Sequence, residues 1–195
     1  MSQENKIKLK NDIVLKSAGG QFLDPSSIVA QLELHPGMQV AHFGCGTGFF
    51  TFPIATRIGE NGKIWALDIL EHKLELVRAQ AKNLGLGNVI VKKANLEKQN
   101  GSELENASVD WVVMVNMLHQ NDKKSDIINE AKRVLKEKGK ILFIEWKNEN
   151  ATVGPKMNIR VTRKDVLEIA KKNDFEIIQE IDAGKFFFGM ILAKK

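Results

Sequence analysis

VAHFGCGTGFF, residues 40–50, ends an apolar run in three glycines spaced two apart: Gly44, Gly46 and Gly48. Glycine lets a backbone turn tightly and approach a ligand without a Cβ in the way. A helix following such a turn offers unpaired N–H groups and the positive end of its dipole. A dinucleotide fingerprint needs GxGxxG, with its third glycine one place later. Phe49 holds that place, so the spacing is GxGxG and suits a ligand needing less cradling of a pyrophosphate. A tight strand-to-helix turn with no ligand is the plainer reading of a glycine triplet taken alone.

The chain around the loop alternates. Residues 38–43 read as a short apolar strand, and a helix follows through residue 59 with Pro53 tolerated in its first turn. KIWALDI (63–69), VIVKKA (89–94), VDWVVMVN (109–116) and KILFIEW (140–146) read as further strands. Between them lie amphipathic helices over 71–85, closed by Gly85, and over 124–139. A last helix over 162–174 has Thr162 as its N-cap. Ahead of the loop, Asp24 caps a helix with Pro25 at its first position and Ile28, Val29 and Leu32 on one face. The end, 175–195, reads as two antiparallel strands joined by a turn at 182–185. Apolar strands alternating with helices mean a mostly parallel sheet covered on both faces. Ligands of such sheets sit at the carboxyl ends of the strands, where the glycine loop falls.

With 195 residues, 43% hydrophobic and 27% charged, the chain is long enough for one sizeable core. We expect an N-terminal arm over residues 1–20 and a single domain over 21–195. The net charge of +5 is spread along helices, which favours a solvated surface over dedicated nucleic-acid binding. No run approaches the roughly 18 apolar residues of a membrane span. One cysteine excludes an internal disulfide, and the polar start lacks the apolar stretch of a signal peptide. A cytoplasmic setting is the expectation. Cysteines and histidines are too few and too scattered for a structural zinc site, and no metal is expected.

Asp68 ends the second strand, 20 residues past Gly48. A carboxylate there can accept from both hydroxyls of a ribose, or cap the next helix, or do both. Ile69 follows it. Asn95 and Leu96 follow the third strand, where a polar side chain and a backbone N–H can read an adenine edge; a turn role for Asn95 is the alternative.

Taken together, VAHFGCGTG, IWALDI, KKANLEK, VDWVVMVNMLHQ and KILFIEW, in this order, resemble class I S-adenosylmethionine-dependent methyltransferases. The resemblance runs from Asp24 to the C-terminus. It looks closest to the small enzymes of the ubiquinone/menaquinone-biosynthesis and arsenite-methyltransferase types. It implies a Rossmann-like three-layer α/β sandwich with a seven-stranded sheet, order 3-2-1-4-5-7-6, and an antiparallel C-terminal strand. It implies S-adenosyl-L-methionine as cofactor, with Gly44, Cys45, Gly46 and Gly48 on the methionine and ribose side. Asp68 and Ile69 would face the ribose, Asn95 and Leu96 the adenine. Asn116 would lie beside the methyl group, its backbone carbonyl facing the methionine amino group. Two positions depart from the pattern: His42, where the family usually has an acid, and Asn95, often an aspartate.

An acid at position 42 would favour the ammonium and sulfonium charges, which a protonated imidazole would repel. The expectation is a weaker grip on the cofactor, falling further below about pH 6.5, the reference titration point of histidine. His119, just past the fourth strand, is the candidate general base, with a capping role as the alternative. Glu145, Trp146 and Arg160 are placed near the same mouth, Arg160 as a holder of an acidic substrate group. Phe22 and Leu23 are candidates to cover the site. With one cysteine in the loop, neither a cysteine nucleophile for cytosine C5 nor a thiolate set for arsenic is available. The Asn/Asp-Pro-Pro-aromatic motif of exocyclic-amine methylation is missing after the fourth strand. A small-molecule acceptor is the leading expectation, an RNA or protein substrate stays open, and so does monomer or homodimer. A non-catalytic nucleoside-binding relative is the second reading; a nicotinamide-dependent oxidoreductase is disfavoured by the GxGxG spacing.

Overall fold

The computed structural model describes residues 23–149 and 153–195. The arm expected over residues 1–20 and Phe22 lie outside the described residues. Within them come α1 (Pro25–Ala30), β1 (Gln39–Phe43), α2 (Thr51–Ile58), β2 (Lys63–Asp68), α3 (Glu71–Leu84) and β3 (Val89–Lys93). There follow β4 (Val109–Val115), α4 (Lys124–Val134), β5 (Leu135–Trp146), α5 (Arg163–Lys172), β6 (Phe175–Ile181) and β7 (Phe187–Lys194). Short 3-10 turns lie at Leu118–Gln120 and Met157–Ile159.

The strands form one sheet in the order β3-β2-β1-β4-β5-β7-β6, as the resemblance implies. β1 pairs in parallel with β2 and β4, while β7 runs antiparallel to β5 and β6. The order reverses beside β1, which is where an open α/β sheet leaves a crevice at its carboxyl edge.

Side chains along each strand alternate between two cores. Ala41, Phe43, Val112, Met114, Ile141 and Phe143 pack towards α4 and α5, with Ile127, Ile128, Ala131, Val166 and Ala170. Val40, Trp111, Val113, Leu142 and Ile144 face the other way, against Ile28 and Val29 of α1 and Ile54, Ala55 and Ile58 of α2. Leu74, Val77 and Ala81 of α3 cover Ala66 and Cys45. His42 shares the parity of Val40 and therefore points to the α2 side.

Local signals act as read. Asp24 accepts from Ser26 N–H at 3.0 Å and Ser27 N–H at 3.3 Å, and Pro25 opens α1. Thr162 and Asp165 form a reciprocal capping box on α5. Gly85 closes α3 at φ +69°. Pro53 is the third residue of α2, where its missing N–H breaks no helical bond.

Two boundaries differ from expectation. α1 stops at Ala30, and Leu32 and Leu34 are buried from the following turn. The helix expected to run to residue 139 ends at Val134, and Leu135 already pairs with Val109 of β4. Leu135 continues the apolar helical spacing of Ile127, Ile128, Ala131 and Val134, so periodicity alone extends the helix. The chain instead reverses through Lys136–Gly139, where a Cβ on Gly139 would lie 2.7 Å from Leu135 Cδ2.

The crossover from β3 to β4 is fixed by an ionic cluster. Glu130, nearly sealed in α4, accepts from Ser102 N–H at 3.0 Å and from Arg133 at 2.7 and 2.9 Å. Burial works against its charge, but the bonds from Arg133 and Ser102 prevail and hold its carboxyl below the usual range. In the same crossover a Cβ on Gly101 would stand 1.9 Å from Asn95 O, so any side chain there displaces the loop that closes one end of the crevice. Gly101→Ala is expected to cost about 2 kcal/mol by overpacking, a fall in Tm of roughly 4–8 °C for a domain of this size. An unchanged melting curve by calorimetry would contradict this tight packing.

Candidate functional site

A cavity of about 690 Å³ opens at the carboxyl ends of β1 to β4. Its walls include His42, Gly44, Cys45, Gly46, Asp68, Ile69, Asn95, Leu96 and Asn116, nine positions singled out in the sequence. Leu23, Phe49, Phe50, Val115 and Met117 add an apolar side, and Lys73, Glu97, Gln120 and Asn121 add polar groups. Of the positions singled out, Gly48 and His119 are not in its walls.

The loop is sewn to β2. Cys45 N–H donates to Leu67 O at 2.9 Å, and Gly46 N–H donates to Asp68 Oδ2 at 2.9 Å. The other oxygen of Asp68 accepts from Leu70 N–H at 2.9 Å, next to the start of α3. Asp68 thus serves the backbone through both oxygens, and a carboxylate has about four lone-pair positions, leaving acceptor capacity for a ligand. Ala94 N–H continues the stitching to Asp68 O at 3.0 Å, which ties in the end of β3.

The three glycines have different reasons. All sit in the left-handed region, at φ +65°, +55° and +89°. A Cβ on Gly44 would meet Met117 Cβ at 2.9 Å, so this glycine lets the β1 and β4 loops touch. A Cβ on Gly46 would meet nothing within 4 Å, which leaves open space at the cavity wall. At Gly48 a Cβ would strike the Phe52 ring at 2.6 Å. Gly48 therefore serves packing of α2, which corrects its expected place on the ligand side.

His42 is 2% exposed and its Nδ1 lies 2.8 Å from Thr51 Oγ1. Burial drives its pKa down to about 4, against a smaller upward pull from Asp68. The expected loss of grip below pH 6.5 is corrected accordingly: the imidazole stays neutral well below that point. Cys45 is pushed the other way, up to about 12, by burial and then by Asp68. Its thiol is inert as a nucleophile.

Asn95 is a turn residue, its Oδ1 accepting from Glu97 N–H at 3.1 Å while the residue still lines the cavity. Glu97 in turn accepts from Asp122 N–H at 2.9 Å and Lys123 N–H at 3.0 Å. Asn116 stands at φ +57°, its N–H on Ile144 O and its carbonyl taking Gln120 Nε2 at 2.8 Å. Its side-chain Oδ1 is buried without a hydrogen-bond partner.

His119 is held by Glu145, Nδ1 to Oε2 at 2.8 Å. The other Glu145 oxygen accepts from Leu118 N–H at 2.8 Å, so this carboxylate, 1% exposed, braces the turn after β4. That bracing takes His119 out of the cavity wall and gives it the capping role. Arg160 is likewise engaged: Nε, Nη1 and Nη2 donate to the carbonyls of Pro155, Lys147 and Val153 at 2.9, 2.6 and 2.8 Å. It pins a loop and does not reach the cavity.

Phe49, Phe50, Lys73, Glu97, Gln120 and Asn121 went unsingled in the sequence as site residues. Each flanks a strand end already marked, and that adjacency was the available signal. Among the described residues no cluster of three or more metal-ligating side chains occurs, and no helix is long and apolar enough to cross a membrane.

Residues 34–182 match the family described as "Methyltransferase domain". The chain belongs to that family. A demethylmenaquinone methyltransferase of Lactococcus lactis is 30% identical over 113 residues, covering 56% of this chain and 42% of that enzyme. The chain thus spans less than half of that relative. A SAM-dependent methyltransferase from Aquifex aeolicus superimposes with a TM-score of 0.84 at 26% identity, covering 95% of this chain and 97% of that one. An arsenic(III) S-adenosylmethionine methyltransferase from Chlamydomonas reinhardtii shares the fold, with a TM-score of 0.66 at 19% identity over 89% of this chain and 66% of that one. This is a class I S-adenosylmethionine-dependent methyltransferase fold, and S-adenosylmethionine is the family's cofactor.

The residues present fit that cofactor. Asp68 keeps free acceptor positions for a diol, Gly46 leaves the space a Cβ would fill, and Ile69, 53% exposed, offers an apolar surface for a flat ring. The buried neutrality of His42 has a measurable cost. The unfolded chain binds its proton near pH 6.5 and the folded chain only near pH 4, so stability is full above pH 6.5 and declines as pH falls towards 4. Between pH 7.5 and 4.5 the wild type is expected to lose about 2.5 kcal/mol more than His42→Asn in urea unfolding. Parallel pH curves would show that His42 is not held neutral.

Proposed function

We propose that this chain is an S-adenosylmethionine-dependent methyltransferase acting on a small-molecule acceptor. The observation that carries the reading is the Asp68 carboxylate, bonded to Gly46 N–H and Leu70 N–H, in the wall of a cavity fronted by the open face of Gly46. Asp68 would hold the ribose hydroxyls, Ile69, Leu96 and Asn95 the adenine, and Gly44 to Gly46 with Asn116 the methionine end. His42 would border that end as a neutral acceptor.

When bound, the cofactor supplies an electrophilic methyl carbon on a sulfonium, open to in-line displacement. The chain's part is then alignment and exclusion of water. Leu23, Phe49, Phe50, Val115 and Met117 form an apolar wall beside the ends of β1 and β4, suited to a flat or greasy acceptor. The cavity wall carries no free base among the described residues. Asp68 and Glu97 are bonded to backbone amides, His42 to Thr51, and His119 to Glu145 outside the wall. That favours an acceptor whose electron pair is already available, such as a phenolate, an enolate or an amine. The single Cys45 agrees with a cytoplasmic setting.

Thermal unfolding at pH 8 with S-adenosylmethionine, S-adenosylhomocysteine or NADH tests the cofactor. At about 100 times its dissociation constant a ligand adds roughly 2.7 kcal/mol, a rise in Tm of roughly 5–10 °C here. The sulfur ligands are expected to give that rise, NADH none, and Asp68→Ala is expected to abolish it. No rise even at millimolar ligand would overturn the reading. Turnover with a methyl-labelled cofactor and a panel of phenols, enols and amines separates an enzyme from a binding relative.

A further inference from the structure

We infer that the Asn116 side chain supplies the acceptor for the cofactor's ammonium group, the task an acid at position 42 would otherwise perform. The inference rests on the cofactor reading above. A primary ammonium carries three donors and needs acceptors for them when it leaves water. Position 42 gives no negative charge: His42 is buried, and its Nδ1 is committed to Thr51. The two carboxylates of the wall, Asp68 and Glu97, belong to the ends of β2 and β3, the ribose and adenine side. The strand order β3-β2-β1-β4 therefore puts the methionine end over β1 and β4, where Gly44 and Met117 touch.

At that end stands Asn116. Its backbone carbonyl already accepts from Gln120, whereas its Oδ1 is the buried side-chain oxygen for which no partner is found among the described residues. Native structures rarely leave such an atom unmet, because the cost is about 1–3 kcal/mol. The residue also occupies the left-handed region at φ +57°, held there by its own N–H on Ile144 O and by Gln120. Strain and an unmet acceptor at one position of a cavity wall are the marks of a residue kept for a ligand. Neither end of the amide is hydrogen-bonded within the described residues, so turning it about its last torsion to meet a ligand breaks no bond.

The test is calorimetric titration with S-adenosylhomocysteine and with its desamino analogue, which keeps the carboxylate and lacks the amine. Asn116→Gly removes the acceptor while glycine accepts the same φ without strain, so the fold is preserved or stabilised. It is expected to weaken S-adenosylhomocysteine at least tenfold and to leave the desamino analogue within twofold. Asn116→Asp, which keeps an acceptor and adds charge, is expected to bind S-adenosylhomocysteine as well as the wild type or better. Equal losses for both ligands, or none for S-adenosylhomocysteine, overturn the role of Asn116 while the cofactor reading stands. A wild type that binds neither ligand overturns both.

Discussion

One carboxylate fixes the geometry on which the cavity depends. Asp68, 7% exposed, spends its charge on two backbone amides, Gly46 N–H in the β1 loop and Leu70 N–H beside the start of α3. Bonds from an ionised acceptor to N–H groups are stronger than neutral ones. They hold three segments that are remote in sequence: the end of β1, the end of β2 and the first turn of α3. Gly46 can answer only because it adopts φ +55° with nothing on its outer face. The same oxygens retain lone pairs on the cavity side. The group that builds the loop is thus the group left to meet a ligand.

A second carboxylate repeats the device two strands away. Glu145, near the end of β5, braces the turn after β4 through Leu118 N–H and His119. Glu97 does the same for the segment at Asp122 and Lys123. In each case an acid on or just past one strand serves amides of another loop, with no lysine or arginine opposite it in these bonds. Amides on strand ends cannot move independently of the sheet, so the cavity is shaped by the sheet before any ligand arrives. Loops built this way contrast with the crossover at Ser102, where Arg133 and Glu130 form an ion pair and the wall is structural.

The sheet was legible because its strands obey period two, its helices period 3.6, and the glycine loop sits at their junction. Asp24, Gly85 and Thr162 were readable as caps because capping chemistry is local. The end of α4 was not: Leu135 satisfies helical spacing and strand burial alike, and only its pairing with Val109 decides. The ligand side was legible where backbone position settles it, as at Gly44, Gly46, Asp68 and Asn116. It failed where a distant partner decides. His119 is withdrawn by Glu145, 26 residues on, and Arg160 by carbonyls of its own loop. Gly48 was assigned to the ligand because spacing cannot reveal the Phe52 ring behind it.

The substitution of histidine for an acid at position 42 changes more than local charge. A carboxylate beside the methionine end would attract a ligand bearing a sulfonium more than one bearing a neutral thioether, since Coulomb energy falls only slowly with distance in a low dielectric. His42 stays neutral across the physiological range because burial outweighs the pull of Asp68. A neutral imidazole and a neutral amide make little distinction between those two charge states. Discrimination then falls to what remains charged in the wall, Asp68 and Glu97 against Lys73. Both acids lie over β2 and β3, away from the transferring end. The wall at β1 and β4 therefore recognises shape and hydrogen-bond donors, and charge is read elsewhere.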